Sequence, residues 1–271
     1  MPEGHTLHRL AGELQELVGH RVAASSPQGR FPAGEVDGAV VAAVGAYGKH
    51  LLVDLIERQE GRPGASSVHV HLGMRGKLLR FAPVTGAPMK QVRLRLALVS
   101  GSGPEVAWDL VAPSTCELLD APGRDRLLAG LGPDPLRPDG NPDEARRRLR
   151  AYRGSVGAAL MDQSVLAGVG NVFRAEVLHA RRIAPDRAAA AVTDAEFDAL
   201  WSTLAAMMAQ GVEDGRIITV DVPPGADRLA VPEAVARRVY KREACADCGT
   251  PVATSTVQGR TAYACPRCQP S

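Results

Sequence analysis

Leu160-Met161-Asp162-Gln163-Ser164-Val165-Leu166-Ala167-Gly168-Val169-Gly170-Asn171 joins two stretches that read as helices, Val156 to Ser164 and Asn171 to Arg181. Its Gly-Val-Gly-Asn ending lets backbone amides at the next helix start approach an anion, and Asn171 adds a side-chain donor. The plainer reading of the same letters is a helix-turn-helix connection, which also favours glycine and an asparagine cap. Either way the surroundings are helical, because Asp143 to Tyr152 and Asp194 to Gln210 also read as helices.

Upstream the pattern is different. Val40 to Val44, Leu51 to Ile56, Val68 to Leu72, Lys77 to Phe81, Val92 to Val99 and Val106 to Leu110 are short β-rich runs broken by turn residues. Strands at this spacing predict an antiparallel sandwich or barrel. Glu60-Gly61-Arg62-Pro63-Gly64 reads as a hairpin connection, and Gly132-Pro133-Asp134-Pro135 through Asn141-Pro142 reads as an interdomain linker. Ahead of the strands, Leu7, Leu10, Leu14 and Leu17 form one stripe of an amphipathic helix over residues 6 to 18, with Thr6 as its cap. The chain is therefore expected to be α+β: a β domain over 1–131, a linker over 132–143, a helical domain over 144–240 and a small module over 241–271.

The small module carries Cys245-x2-Cys248-x16-Cys265-x2-Cys268, two knuckles whose four thiolates suit one tetrahedral zinc. Four sulfur ligands leave no open coordination position, so the metal is expected to be structural. A segment this short has no core of its own and depends on that metal. Gln258-Gly259-Arg260-Thr261 falls at the hairpin tip between the knuckles, where Arg260 can grip a phosphate. Cys116 is left over and reads as a buried small hydrophobe. Paired C-x2-C spacing argues for metal binding in a reducing cytosol, and no run of about 18 apolar residues predicts a membrane span.

Net charge is only +2, which says little about partners. Its distribution says more. Arg146, Arg147, Arg148, Arg150 and Arg153 form one basic run, and six basic residues after Val235 face only Glu243 and Asp247. Two such stretches fit a polyanion, although a solvated helix face would look the same. Arginine outnumbers lysine 28 to 4, so each lysine position is informative.

The N-terminus, Met1-Pro2-Glu3, carries a chemical possibility. Once methionine is removed, Pro2 is a secondary amine whose α-amino group titrates well below lysine. Added to an aldehyde-level carbon it gives an iminium that cannot lose a proton, an electron sink suited to β-elimination. Glu3 supplies a carboxyl group beside it for proton transfer. Lys49, in Gly48-Lys49-His50 at a strand start, could protonate a leaving group or hold a phosphate, or be an ordinary strand-edge charge. His69 and His71 share one strand face and read as satisfied histidines rather than metal ligands. Met74, in the turn Gly73-Met74-Arg75-Gly76, is an exposed apolar residue that could wedge into a base stack.

Taken in order, Met1-Pro2-Glu3-Gly4, Gly48-Lys49-His50, His71-Leu72-Gly73-Met74, Leu160 to Gln163 with Gly168-Val169-Gly170-Asn171, and Cys265-Pro266-Arg267-Cys268-Gln269 resemble the bacterial formamidopyrimidine-DNA glycosylase and endonuclease VIII family. The matches span nearly the whole chain. The resemblance implies an N-terminal β-sandwich with flanking helices, then a helical domain with a helix–two-turn–helix motif and a zinc finger. It implies base excision repair on double-stranded DNA with a damaged base or abasic site, by a monomer in the bacterial cytoplasm, at the nucleoid. Pro2 would attack the anomeric carbon, Glu3 would move protons, and Lys49, Asn171 and Arg260 would bind phosphates, with Gly170 and Met74 also at the DNA. β- and δ-elimination would follow. Gly4 resembles the endonuclease VIII branch. The stretch Asp109-Leu110-Val111-Ala112-Pro113-Ser114-Thr115-Cys116 departs from the Asp-x-Arg-Arg-Phe-Gly loop of the oxidised-purine enzymes. Oxidised pyrimidines are the expected substrates; an oxidised-purine enzyme of the same fold and a non-catalytic damaged-DNA-binding protein stand as alternatives.

Overall fold

The computed structural model describes residues 2–56, 66–100 and 103–270. The hairpin connection expected at Glu60 to Gly64 lies outside them. The chain divides into two compact units, one of residues 1–2 and 7–129, the other of residues 3–6 and 130–271.

Helix α1 runs Gly4–Glu13 and continues as a 3-10 turn over Leu14–Leu17. The expected cap at Thr6 is corrected, because the Thr6 amide already donates to the Glu3 carbonyl within the first turn at 2.9 Å. The described residues of the first unit then form the strands β1 Val22–Ser25, β2 Val40–Tyr47, β3 His50–Ile56, β4 Ser66–His71, β5 Lys77–Phe81, β6 Val92–Ser100, β7 Gly103–Val111 and β8 Thr115–Leu119. They make two antiparallel sheets, in orders β1-β6-β7-β5 and β2-β3-β4-β8. One face of each sheet meets the other: Val41, Leu51, Val53, Val68 and Val70 from one share a buried core with Val22, Leu94, Leu96, Trp108 and Leu110 from the other. Leu7, Leu14 and Leu17 join that core. The result is a sandwich. Helix α2, Ala121–Ala129, follows β8.

The second unit is helical: α3 Pro142–Ala151, α4 Val156–Ala159, α5 Asn171–Ala180 and α6 Asp194–Asp214. The helix expected over Val156 to Ser164 stops at Ala159, and turns occupy the stretch to Gly170. The Gly/Pro-rich stretch after Leu131 packs onto those turns: Gly132 N–H donates to the Gln163 carbonyl at 2.8 Å and Ala167 N–H to the Pro133 carbonyl at 3.0 Å. Leu149, Leu160, Phe173, Phe197, Leu200 and Met208 fill its core. Removing any one such large side chain costs about 2–5 kcal/mol. Strands β9 Ala253–Val257 and β10 Arg260–Ala264 form a closing hairpin.

The basic run is largely ion-paired. Arg146 pairs with Asp143, Asp194 and Asp198, Arg147 and Arg148 with Glu144, and Arg150 with Asp194. Arg148 also donates to the Leu131 and Ser164 carbonyls. Arg147 and Arg150 remain 75% and 49% exposed beside these acids, so α3 presents an ion-paired, solvated face. No helix among the described residues is long and apolar enough to cross a membrane.

Candidate functional site

Pro2, Lys49 and Met74 belong to the first unit; Glu3, Gly170, Asn171, Arg260 and the four paired cysteines belong to the second.

Helix α5 organises the second set. Its first-turn amides have no partners within the helix, and its positive end faces them. The Glu3 carboxylate fills that place. Oε1 accepts from Val172 N–H at 2.8 Å, and Oε2 accepts from Gly170 N–H at 3.0 Å and Phe173 N–H at 3.3 Å. Glu3 is 1% exposed. The helix start thus does receive an anion, but the anion is Glu3, and the Gly170 amide is committed to it. Gly170 matters for a second reason: a Cβ there would lie 2.3 Å from Glu3 Cδ. Gly4 is bound in the same way, its amide donating to the Gly168 carbonyl at 2.8 Å.

Asn171 is nearly buried, and its Nδ2 donates to the Thr261 carbonyl at 3.0 Å. Its Oδ1 accepts from Arg174. Sequence reasoning missed Arg174. It is 1% exposed, its Nη2 also donates to the Thr261 carbonyl at 3.0 Å, and its Nη1 has no partner among the described residues. Burial lowers its pKa first, and the nearby Arg260 charge lowers it further. The available signal was a pair of charges, Arg174 and Glu176, inside an otherwise apolar helix that turns out to be buried from Asn171 to His179. Glu176 accepts the amides of Arg238, Val239 and Tyr240, tying α5 to the segment that leads into the cysteines.

Arg260 begins β10 after the two-residue turn Gln258-Gly259, whose positive φ values of 49° and 69° suit a type I′ hairpin. It is exposed and makes no ion pair among the described residues. The four cysteines converge: Cys245–Cys268 Sγ atoms are 4.0 Å apart, and Cys248 is 3.5 Å from both Cys265 and Cys268. A tetrahedron with metal–sulfur bonds of about 2.3 Å has sulfur–sulfur edges of about 3.8 Å, so the set fits one ion. Among the described residues it is the one cluster of three or more ligand-bearing His, Cys, Asp or Glu side chains able to hold a metal.

In the first unit, Gly48 and Lys49 are the two residues of the β2–β3 turn, since Tyr47 pairs with His50. Gly48 has φ 58°, the left-handed position that a type II′ turn assigns to glycine. Met74 is 71% exposed. Beside it, β7 and β8 are joined by only Ala112-Pro113-Ser114. His69 and His71 are satisfied by partners rather than free for a metal: His69 contacts His50 and Glu117, and His71 contacts Ser114. Cys116 packs against the core, and burial pushes its thiol up to about 12.

A family model described as the formamidopyrimidine-DNA glycosylase N-terminal domain matches residues 1–108, and one described as the formamidopyrimidine-DNA glycosylase H2TH domain matches residues 131–222. Endonuclease 8 1 of Mycobacterium tuberculosis is 41% identical over 281 residues, which cover 99% of this chain and 100% of that one. Formamidopyrimidine-DNA glycosylase of Xanthomonas campestris pv. campestris is 32% identical over 286 residues, with 99% and 98% covered. Among solved structures, Lactococcus lactis formamidopyrimidine-DNA glycosylase, non-covalently bound to DNA containing an AP site, aligns with a TM-score of 0.77 over 99% of this chain and 100% of that one. Their identity is 19%, so that likeness speaks for the fold.

Proposed function

This chain belongs to the formamidopyrimidine-DNA glycosylase and endonuclease 8 family, and we propose that it excises oxidised pyrimidines from duplex DNA through an iminium formed at Pro2. Enzymes of this family are DNA glycosylases and abasic-site lyases of base excision repair.

The observation that carries the reading is the Glu3 carboxylate, pinned by three amides directly after the amine that would act. With methionine removed, the Pro2 nitrogen attacks C1′ of the lesion nucleotide and the bond to the base breaks. The base departs with the bonding electron pair and takes up a proton from water. The Glu3 carboxylate accepts the proton that the Pro2 nitrogen sheds on bonding to C1′ and passes it to the ring oxygen as the sugar opens, leaving a C1′=N⁺ iminium. Loss of a 2′ proton then expels the 3′ phosphate, and loss of a 4′ proton expels the 5′ phosphate, which leaves a one-nucleotide gap. Lys49, Asn171 and Arg260 hold the flanking phosphates, and Met74 enters the stack vacated by the base. Gly170 acts by admitting Glu3.

Cys245, Cys248, Cys265 and Cys268 would hold one zinc ion, because four soft thiolates in tetrahedral disposition select it. When bound, it supplies structure to the hairpin that presents Arg260. One chain is the working unit. The three-residue Ala112-Pro113-Ser114 connection supports the pyrimidine preference, since it lacks the arginine and phenylalanine found in the oxidised-purine enzymes.

Borohydride trapping on an abasic duplex tests the mechanism, comparing untagged protein with Pro2→Gly and Glu3→Gln. The expected result is a covalent adduct mapped to Pro2. Tight binding with no adduct from a confirmed proline terminus would instead support a non-catalytic DNA-binding protein. Paired duplexes carrying thymine glycol or 8-oxoguanine separate the two substrate classes.

A further inference from the structure

The outer face of the β2-β3-β4-β8 sheet carries a polar row with no part in the chemistry above. Leu51, Val53, Val68 and Val70 face the core, so alternation sends His50, His69 and His71 to the opposite face. His69 pairs directly with Glu117 across β4 and β8, and His50 is its diagonal neighbour on β3. The side chains connect: His50 Nδ1 lies 2.8 Å from His69 Nε2, and His69 Nδ1 lies 2.8 Å from Glu117 Oε1. His69 is 3% exposed, whereas the Glu117 side chain is 51% exposed.

We propose that Glu117 and His69 form a hydrogen-bonded relay that locks His50 in one tautomer and thereby positions Lys49. A carboxylate oxygen can only accept, so His69 Nδ1 must donate to it. In a neutral imidazole the other nitrogen then bears the lone pair, so His69 Nε2 accepts from His50 Nδ1–H. His50 is left with Nε2 unprotonated, an acceptor on the residue next to Lys49. Burial pushes His50 down to about 4, with the charges of His69, His71 and Lys49 adding to the shift, so the ring is neutral at pH 7. His71 is lowered for the same reasons, burial first. The Lys49 charge is near enough to lower both His50 and His71, and neutral rings beside it do not compete with it as cations. The relay orients; it does not touch DNA. The role of Lys49 rests on the function proposed above, whereas the tautomers do not.

Long-range ¹H–¹⁵N NMR of the imidazoles at pH 7.5 reads the tautomers directly in the free full-length protein. The expected spectrum has His50 and His69 both protonated at Nδ1. Glu117→Ala removes the acceptor and should move His69 toward the Nε2–H form, while Glu117→Gln keeps a carbonyl oxygen and should retain the parent pattern. Abasic-duplex cleavage should fall about tenfold in Glu117→Ala and stay within about twofold in Glu117→Gln, in keeping with the loss of one hydrogen bond to a charged group. The exposed position of Glu117 makes both variants foldable, which a change at buried His69 would not ensure. An Nε2–H tautomer or an imidazolium at either histidine in the parent would overturn the relay. So would Glu117→Ala protein with unchanged tautomers or parental cleavage. If the parent protein does not cleave at all, the function fails and the spectrum still decides the relay.

Discussion

At the scale of single residues, the site is governed by close approach. Gly170 has no room for a methyl group, because its Cβ would stand 2.3 Å from Glu3 Cδ and 2.5 Å from Oε1. Gly170→Ala must therefore evict the carboxylate and leave three helix-start amides without their acceptor. A loss of about 1–3 kcal/mol in the second unit is expected in denaturant melts, with at least about tenfold slower abasic-site cleavage. Gly12→Ala is the matched control: it lies in α1 with nothing within 4 Å of the added carbon, so neutral to slightly stabilising behaviour is expected. Equal losses from the two substitutions would remove close packing as the explanation. Glu3 was legible in the sequence as a carboxyl beside Pro2. Its partners were not, because nothing local relates residue 3 to residues 170–173.

At the scale of elements, α6 shows how an end is specified. Thr193 and Glu196 form a reciprocal capping box, and Glu196 also accepts from Arg187 at 2.6 Å. The Arg187 hydrogen bond, helped by the Thr193 amide, holds Glu196 at about 2 rather than its usual 4.5. A carboxyl lowered on folding stabilises above its unfolded pKa and loses that contribution as pH falls toward its folded one. Glu196→Gln keeps an acceptor for the Thr193 amide but loses the charge facing Arg187, so it should melt lower than the parent at pH 7 by up to about 1 kcal/mol, with the gap closing between pH 4.5 and 2. A gap that persists at pH 2 would locate the effect elsewhere. The far end of α6 passes the expected Gln210 and stops at Asp214, where Gly215 adopts φ 66°. Long strands and helices were readable because their apolar spacing is local. Strands Val22–Ser25 and Thr115–Leu119 were not, since each is short and gains its meaning from β6 or β4, 44 or more residues away in sequence.

At the scale of the molecule, the second unit carries the four-cysteine cluster able to hold a metal, and the first carries no such cluster among its described residues. Cys245 and Cys265 belong to the second core, and His179 Nε2 on α5 contacts Cys245 Sγ at 3.2 Å, so the cluster is joined to the helix that Glu3 caps. Removing the metal with a chelator should abolish hydrogen-exchange protection across residues 244–268 and weaken it in α5, while the β-sandwich amides keep theirs. DNA binding should fall more than cleavage of bound substrate, and Cys245→Ser should behave alike. Uniform loss of protection in both units would contradict that division. The sequence by itself determined the order of elements, the change from period-two to helical spacing, and the cysteine quartet, because backbone geometry and ligand spacing are written into neighbouring residues. Only the tertiary structure decided where charges end. It paired the arginines of α3 with Asp and Glu on the surface, and buried Arg174 beneath the hairpin. It placed Glu3 rather than a ligand on the start of α5, and lined up His50, His69 and Glu117 across three strands. The partner of a charged group depends on which surfaces meet, and no spacing along the chain encodes that.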